Sequence, residues 1–198
     1  MEIKKIIKQD IKYVVEVHKS SFKDFFLTRL GDNFLTIYYD SVRKDDNCIM
    51  LGLFVEGQMH GFCAATLLSK GFNKRLLKKN LIPFLFTSVG LLLSKPISLI
   101  RLYKNLQKND PNLQDIGNYA EILSIGVSVD KQGQGFGKKL LIQLEDELNQ
   151  RGCSRLSLTT DYFNNEKVIE FYKGLGFSIY YDFKAYPNRK MYRLIKTL

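Results

Sequence analysis

The stretch Tyr119-Ala-Glu121-Ile-Leu-Ser-Ile125-Gly126-Val127-Ser-Val129-Asp-Lys-Gln132-Gly133-Gln134-Gly135-Phe136-Gly137-Lys138-Lys139-Leu140-Leu141 decides the architecture. Its first half is a long apolar run suited to a strand, from Tyr119 to Val129. Its second half is a glycine-rich turn over Gln132–Gly137, followed by a helix from Lys138 to Arg151 with Leu140, Leu141, Leu144 and Leu148 on one face. Gly152 stands where a C-cap is expected. Three alternate glycines before a helix free the backbone to curl, so that several N–H groups converge on one place. The unpaired amides and positive dipole end of the helix point there too. Together they form an anion cradle suited to a pyrophosphate. Lys138 and Lys139 run against the acidic preference of a first helical turn, a mismatch that a bound phosphate would relieve. No Gly-Lys-Ser/Thr follows, so this is not a Walker A loop, and Gly-x-Gly-x-Gly is spaced differently from a dinucleotide fingerprint. A phosphate-bearing ligand is implied, without pointing to ATP or NAD.

Outward from this segment the pattern is regular. Ile3 to Ile7 suits a short strand, with Asp10 as N-cap of a helix carrying Ile11, Val14, Val15 and His18 at helical spacing. His18 reads as a residue on a half-buried helix face. A second helix follows Gly31 and ends near Arg43. Cys48–Val55 and Met59–Leu68 read as strands around the turn Glu56-Gly57-Gln58. After the central helix come a strand over Arg155–Thr160, a short helix over Asn165–Gly174, and strands over Phe177–Phe183 and Lys190–Lys196. The fold class expected is α/β (α+β): a mixed central sheet of about seven strands with helices on both faces. Residues 1–198 suit a single domain with a basic helical insertion at 70–117 between the third and fourth strands.

Net charge +10 is concentrated in that insertion. Between Lys70 and Gly117 there are nine Lys/Arg and two Asp, which supplies +7. A uniformly basic nucleic-acid coat is therefore not expected, and the basic residues are interleaved with leucine rather than with stacking aromatics. The uncharged run from Asn80 to Ser94 is fifteen residues, short of the ~20 that a membrane span requires. Cys48, Cys63 and Cys153 are too few and too scattered for a disulfide framework or a zinc ribbon, and they read as reduced thiols of a cytoplasmic protein. No metal site is suggested. The opening residues lack the apolar core of a signal peptide.

Two motifs together resemble the GNAT superfamily of acyl-CoA-dependent N-acyltransferases. Gln132-x-x-Gly135-x-Gly137 matches the family's Gln/Arg-x-x-Gly-x-Gly/Ala after a strand. Asn165, a short helix, Phe171-Tyr172 and Gly176-Phe177 match its second element, in family order. The resemblance covers 119–183 strongly and 1–69 by strand order. It implies acetyl-CoA as co-substrate, lying where two central parallel strands part. The pantetheine arm would pair with the backbone of Ile125, Gly126 and Val127. The loop Gln132, Gly133, Gln134, Gly135, Phe136, Gly137 and Lys138 would hold the pyrophosphate, and Asn165 would reach the arm from the other side. Tyr172 is the expected general acid that protonates the departing thiolate, while Phe171 is expected to be a core aromatic. Glu121 is the candidate base for the amine. Alternation of side chains would put it on one face with Leu123, Ile125 and Val127.

In this fold the loop between the first two helices frames the acceptor, which brings in Phe22, Phe25, Phe26 and Arg29. Aromatics beside an arginine suit a ring bearing a phosphate or carboxylate. The expected acceptor is the primary amine of a small molecule, with an amino sugar, nucleotide-linked or not, as the favoured class. The alternatives are a module that binds acyl-CoA without catalysis and a peptide or protein N-acetyltransferase. The basic insertion is a candidate for capping the acceptor cleft, for a homodimer surface or for peripheral contact with an anionic membrane.

Overall fold

The structure is a computed structural model that describes residues 1–23, 25–80, 115–185 and 187–198. The chain runs β1 (Glu2–Lys5), α1 (Ile11–Ser21), α2 (Phe26–Arg29), α3 (Asp32–Lys44), β2 (Cys48–Val55), β3 (Gln58–Thr66) and α4 (Phe72–Lys79). It continues through β4 (Ala120–Val127), α5 (Phe136–Gln150), β5 (Arg155–Asp161), α6 (Glu166–Lys173), β6 (Ser178–Ala185) and β7 (Arg189–Thr197). The sheet order is β1-β2-β3-β4-β5-β7-β6, mixed as expected, with β4 and β5 its parallel pair. Of the expected insertion, α4 and the two ends are described. The other helices read there, and the uncharged run beyond Asn80, lie outside the described residues.

The helices form for the reasons the spacing indicated. Leu140, Leu141, Leu144 and Leu148 of α5 are all fully buried. Its end is closed by Gly152, whose φ of +74° lets the N–H of Cys153 return to the Leu148 carbonyl at 3.0 Å. At α1 the expectation fails in detail. Asp10 ends a 3-10 turn with helical backbone angles and caps nothing in α1. Its carboxylate instead accepts the N–H of Ile7 at 3.0 Å, three residues back.

Two apolar layers sandwich the sheet. One joins Cys63, Ala65, Ala120, Ile122, Leu156, Leu158 and Leu194 to α5 and α6. The other joins Met50, Phe62 and Ala64 to α1, α3 and α4. Between the layers, β4 and β5 pair only at Ala120↔Leu156 and Glu121↔Ser157. Beyond that point they part. β4 stays with β3 as far as Val127, and β5 stays with β7 as far as Asp161. The result is a wedge open toward the carboxyl ends of both strands.

A bulge in β4 overturns the expected alternation. Ala65 pairs with Ile122 and Ala64 with Ser124, so Leu123 has no register partner on β3. The extra residue flips the side chains that follow it. Ile122, Ile125 and Val127 face α5 and α6, whereas Leu123 and Ser124 face α1 and α3. Glu121 thus lies on the opposite face from Ile125 and Val127. The insertion leaves and rejoins the sheet through a hydrogen-bonded neck, Ser69 N–H to Tyr119 O and Lys70 N–H to Gly117 O, both 2.9 Å.

Candidate active site

The loop between β4 and α5 has the shape that its glycines suggested. Gly133 and Gly135 both have φ of +78°, and a Cβ on either would meet nothing within 4 Å. This left-handed backbone turns successive N–H groups toward one side. The first helical bond of α5 is Lys139 N–H to Gly135 O. Among the described residues, the N–H groups of residues 133–138 donate to no protein acceptor. Gln132 and Gln134 stabilise the loop from behind, their amides donating to Val127 O at 3.1 Å and Asp130 O at 3.3 Å. Gly137 lies 3.8 Å, measured from an added Cβ, from the ring of Phe171, so the start of α5 sits against α6. The first turn of α5 holds no acidic residue, and Lys138 and Lys139 lie in it.

Tyr172 projects from α6 into the layer that contains Cys63, the register partner of Ile125. It therefore packs on the α5/α6 face of the sheet, near the level of Ile125 on β4. The turn after α6 fixes it: Gly176 takes φ of +90°, Phe177 N–H returns to Tyr172 O at 3.1 Å, and the two rings meet edge to face at 5.5 Å. Burial, with a smaller contribution from Cys63, pushes the phenol well above its ordinary range. It stays protonated at neutral pH. Among the described residues its hydroxyl makes no hydrogen bond. Phe171 is not the core aromatic expected. It is 40% exposed, and with Val168 it forms an apolar strip between the glycine loop and α6. Asn165 donates both amide hydrogens to the end of β5, to Thr160 Oγ1 at 2.6 Å and Asp161 O at 3.1 Å. Among the described residues its amide oxygen accepts no hydrogen bond.

The other face of the wedge is covered by α1. Ser21 Oγ donates to Val127 O at 2.9 Å, and a Cβ on Gly126 would stand 3.2 Å from Ser21, Phe22 and Phe62. Gly126 is thus a point of close approach, and what approaches it from this side is the chain's own α1. The ring of Phe22 meets that of Phe25 at a tilt of 59°, centroids 5.1 Å apart, and Phe25 in turn carries the guanidinium of Arg189 at 4.8 Å. Arg189 forms a bidentate pair with Asp161. Residues from the loop between α1 and α2, from β5 and from β7 therefore meet at the mouth. Arg29 lies exposed at the end of α2, and the side chain of Phe26 is outside the described residues.

At the closed end of the wedge Glu121 joins a network that the sequence did not announce. Arg193 of β7 pairs with Glu121 at 3.0 Å and donates to Ser157 at 2.9 Å and to the Tyr181 hydroxyl at 3.0 Å. Ser69 donates to the second oxygen of Glu121. Asp115 accepts from Tyr119 and, at 2.5 Å, from Tyr181, and lies 3.9 Å from Arg193. Burial disfavours the Asp115 carboxylate. Hydrogen bonds from Tyr119, Tyr181 and the Gly117 N–H, with the Arg193 charge, outweigh that and hold its carboxyl below the usual range. Burial likewise opposes the Arg193 charge, and Glu121 more than restores it. Burial and the Asp115 hydrogen bond push Tyr181 up to about 12. Among the described residues two carboxylates, Glu121 and Asp115, face the Arg193 guanidinium here, and Arg155 lies 5.8 Å from the Tyr119 ring. Local spacing reveals few of these contacts, since Arg193–Ser157, Ser69–Glu121 and Tyr181–Asp115 lie 36, 52 and 66 positions apart.

Residues 12–177 match the Acetyltransferase (GNAT) family. No curated protein matches. Among solved structures, a ribosomal-protein-alanine N-acetyltransferase from Brucella melitensis has a TM-score of 0.66 at 15% identity, covering 100% of both chains. An aminoglycoside 6'-acetyltransferase type Ii has a TM-score of 0.63 at 15% identity, covering 100% of this chain and 97% of the other. The PaiA N-acetyltransferase from Thermoplasma acidophilum, solved with coenzyme A, has a TM-score of 0.56 at 15% identity over 100% and 98%. Identities this low speak for the shared fold, while the family match runs from α1 to the Gly-Phe turn after α6. The chain belongs to the GNAT family and is an N-acetyltransferase.

Proposed function

We propose that the protein transfers an acetyl group from acetyl-CoA directly to the primary amine of a small acceptor, and that an amino sugar is the acceptor class its rim fits. The observation that carries the donor half is the run of undonated N–H groups at 133–138, aimed past two open left-handed glycines and flanked by Lys138 and Lys139. That is a pyrophosphate cradle in both geometry and sign. The PaiA relative was solved with coenzyme A, in keeping with this reading. The exposed strip of Val168 and Phe171 offers apolar contact to the pantetheine arm. The backbone of Ile125, Gly126 and Val127 offers it hydrogen bonds, and Asn165 an acceptor oxygen.

The amine attacks the thioester carbon, the C–N bond forms and the C–S bond breaks. The thiolate takes the Tyr172 proton, since a buried phenol held neutral over the wedge is a donor at that place. Backbone N–H groups near Val127 are the nearest donors to the carbonyl oxygen during attack. Glu121 contributes charge. With Asp115 it places two carboxylates at the closed end, which attract a cationic amine across from the coenzyme. Both of its oxygens already accept hydrogen bonds, so it holds the amine and leaves the proton to another group. At the mouth, the stacked Phe25 and Arg189 with Asp161 offer a flat apolar surface beside polar groups, which suits a sugar ring.

Thiol release from acetyl-CoA, measured against a panel of amino sugars, polyamines and alanine-ended peptides, tests this. Turnover is expected with amino sugars. Turnover confined to peptides would overturn the acceptor, and none with any amine despite coenzyme binding would favour a non-catalytic module.

A further inference from the structure

Behind the acceptor face lies a buried histidine that the reaction as described does not use. His18, expected on a half-buried face, is 2% exposed. Its Nδ1 lies 2.6 Å from the hydroxyl of Tyr39 on α3, and Tyr39 donates to Ser124 Oγ at 3.1 Å. Ser124 donates to the Leu123 carbonyl at 2.8 Å, within the β4 bulge. The chain of bonds has one direction. A carbonyl only accepts, so the Ser124 hydrogen goes to Leu123, and the serine lone pair takes the Tyr39 hydrogen. The single Tyr39 hydrogen is then spent, so its oxygen must accept from His18. The imidazole is thereby held as the Nδ1–H tautomer, with the lone pair on Nε2.

That Nε2 is buried and has no partner. A buried acceptor without a donor costs about 1–3 kcal/mol, so such groups are rare where they serve packing alone. Its location points to use. His18 is one turn before Ser21, which holds Val127 O, and its ring meets Phe22 at 4.9 Å. Phe22 in turn stands against Gly126. The imidazole is thus one aromatic ring away from the backbone where the thioester would lie, on the side from which the amine arrives. Among the described residues Tyr39 from α3 and Phe22 meet its ring, and no charged group bears on it. Burial alone lowers its pKa to about 4, so its lone pair is available throughout the neutral range.

Resting on the acetyl-transfer reading above, we infer that His18 Nε2 takes the proton released when the acceptor amine adds to the thioester, with Tyr39 and Ser124 as positioning residues that fix its tautomer. Attack leaves a positive nitrogen in the tetrahedral adduct. One N–H bond breaks toward Nε2, the imidazolium returns the proton to solvent, and the Tyr172 proton goes separately to sulfur. Phe22 must move aside for the amine to make that contact.

The chain has two histidines, His18 and His60, so ¹⁵N spectra of the intact protein resolve the tautomer without turnover. A protonated Nδ1 with bare Nε2 is expected, and a protonated Nε2 would overturn the inference even if the enzyme proves active. His18→Asn keeps a donor toward Tyr39 and removes Nε2. It should lower kcat at least tenfold, leave acetyl-CoA binding by calorimetry unchanged and abolish the acid limb of the pH–rate profile, a limb that Glu121→Gln retains. Unchanged kcat per folded molecule would overturn the assignment. Should His18→Asn fail to fold, Tyr39→Phe replaces it: the freed tautomer should cut kcat severalfold and shift the acid limb, and an unaltered profile would count against the inference. Failure of the acetyl-transfer reading would show as absent turnover in the unaltered protein, which is a separate result.

Discussion

At the scale of single residues, the working parts divide by whether the fold satisfies them. Arg193, Asp115 and Glu121 have charged or hydrogen-bonding partners, whereas among the described residues the Tyr172 hydroxyl and His18 Nε2 have none. Groups left without partners in a folded chain are the ones prepared to meet a ligand. Tyr172→Phe removes one oxygen from a side chain whose ring remains packed on Phe177. It should reduce kcat at least tenfold with acetyl-CoA affinity and Tm nearly unchanged, as read by steady-state kinetics, calorimetry and thermal melts. The burial of Tyr172 on a short helix was legible because its signal is local: Phe-Tyr closed by Gly-Phe. The same signal misassigned Phe171, because adjacent helical positions point about 100° apart and helical spacing alone does not say which of two aromatics is buried.

At the scale of elements, the loop before α5 carries the donor reading, and its glycines separate folding from binding. Gly135→Ala forces a side chain into a left-handed backbone with open space around it, which costs about 1–2 kcal/mol. Gly152→Ala imposes the same strain at φ +74°, also in open space, at the far end of the same helix. The two variants should lose similar stability in urea melts. Only Gly135→Ala should weaken coenzyme A binding, by fivefold or more in calorimetry, because its strain reshapes the cradle. Helices and strands here were readable to within a few residues, since periodicity and glycine punctuation are properties of short windows. The β4 bulge was not, since an unpaired residue is defined by a neighbouring strand more than fifty positions away.

At the scale of the whole molecule, the buried polar groups tie stability to pH. In the fold His18 titrates at about 4 against 6.5 when exposed, so between those values the unfolded chain binds a proton that the folded chain refuses. Stability is therefore complete above pH 6.5 and falls by about 1.4 kcal/mol per unit toward pH 4, roughly 3 kcal/mol in all. Asp115 adds a second loss at lower pH, as its depressed carboxyl is protonated. Urea midpoints measured from pH 7 to 4.5 should decline accordingly, and His18→Asn should flatten that slope. These long-range pairings were beyond sequence reading because they exist only once α1, α3, β4 and β7 have assembled. The one-residue bulge at Leu123 acts on this same scale. It works as a phase change in a two-sided fabric: upstream and downstream of it, even and odd positions exchange rooms. Lifting Leu123 out would set Ile122 and Ser124 side by side opposite Ala65 and Ala64 in plain alternation, so every later side chain would keep its room and the loss would be confined to the seam that Leu123 itself fills against α1 and α3.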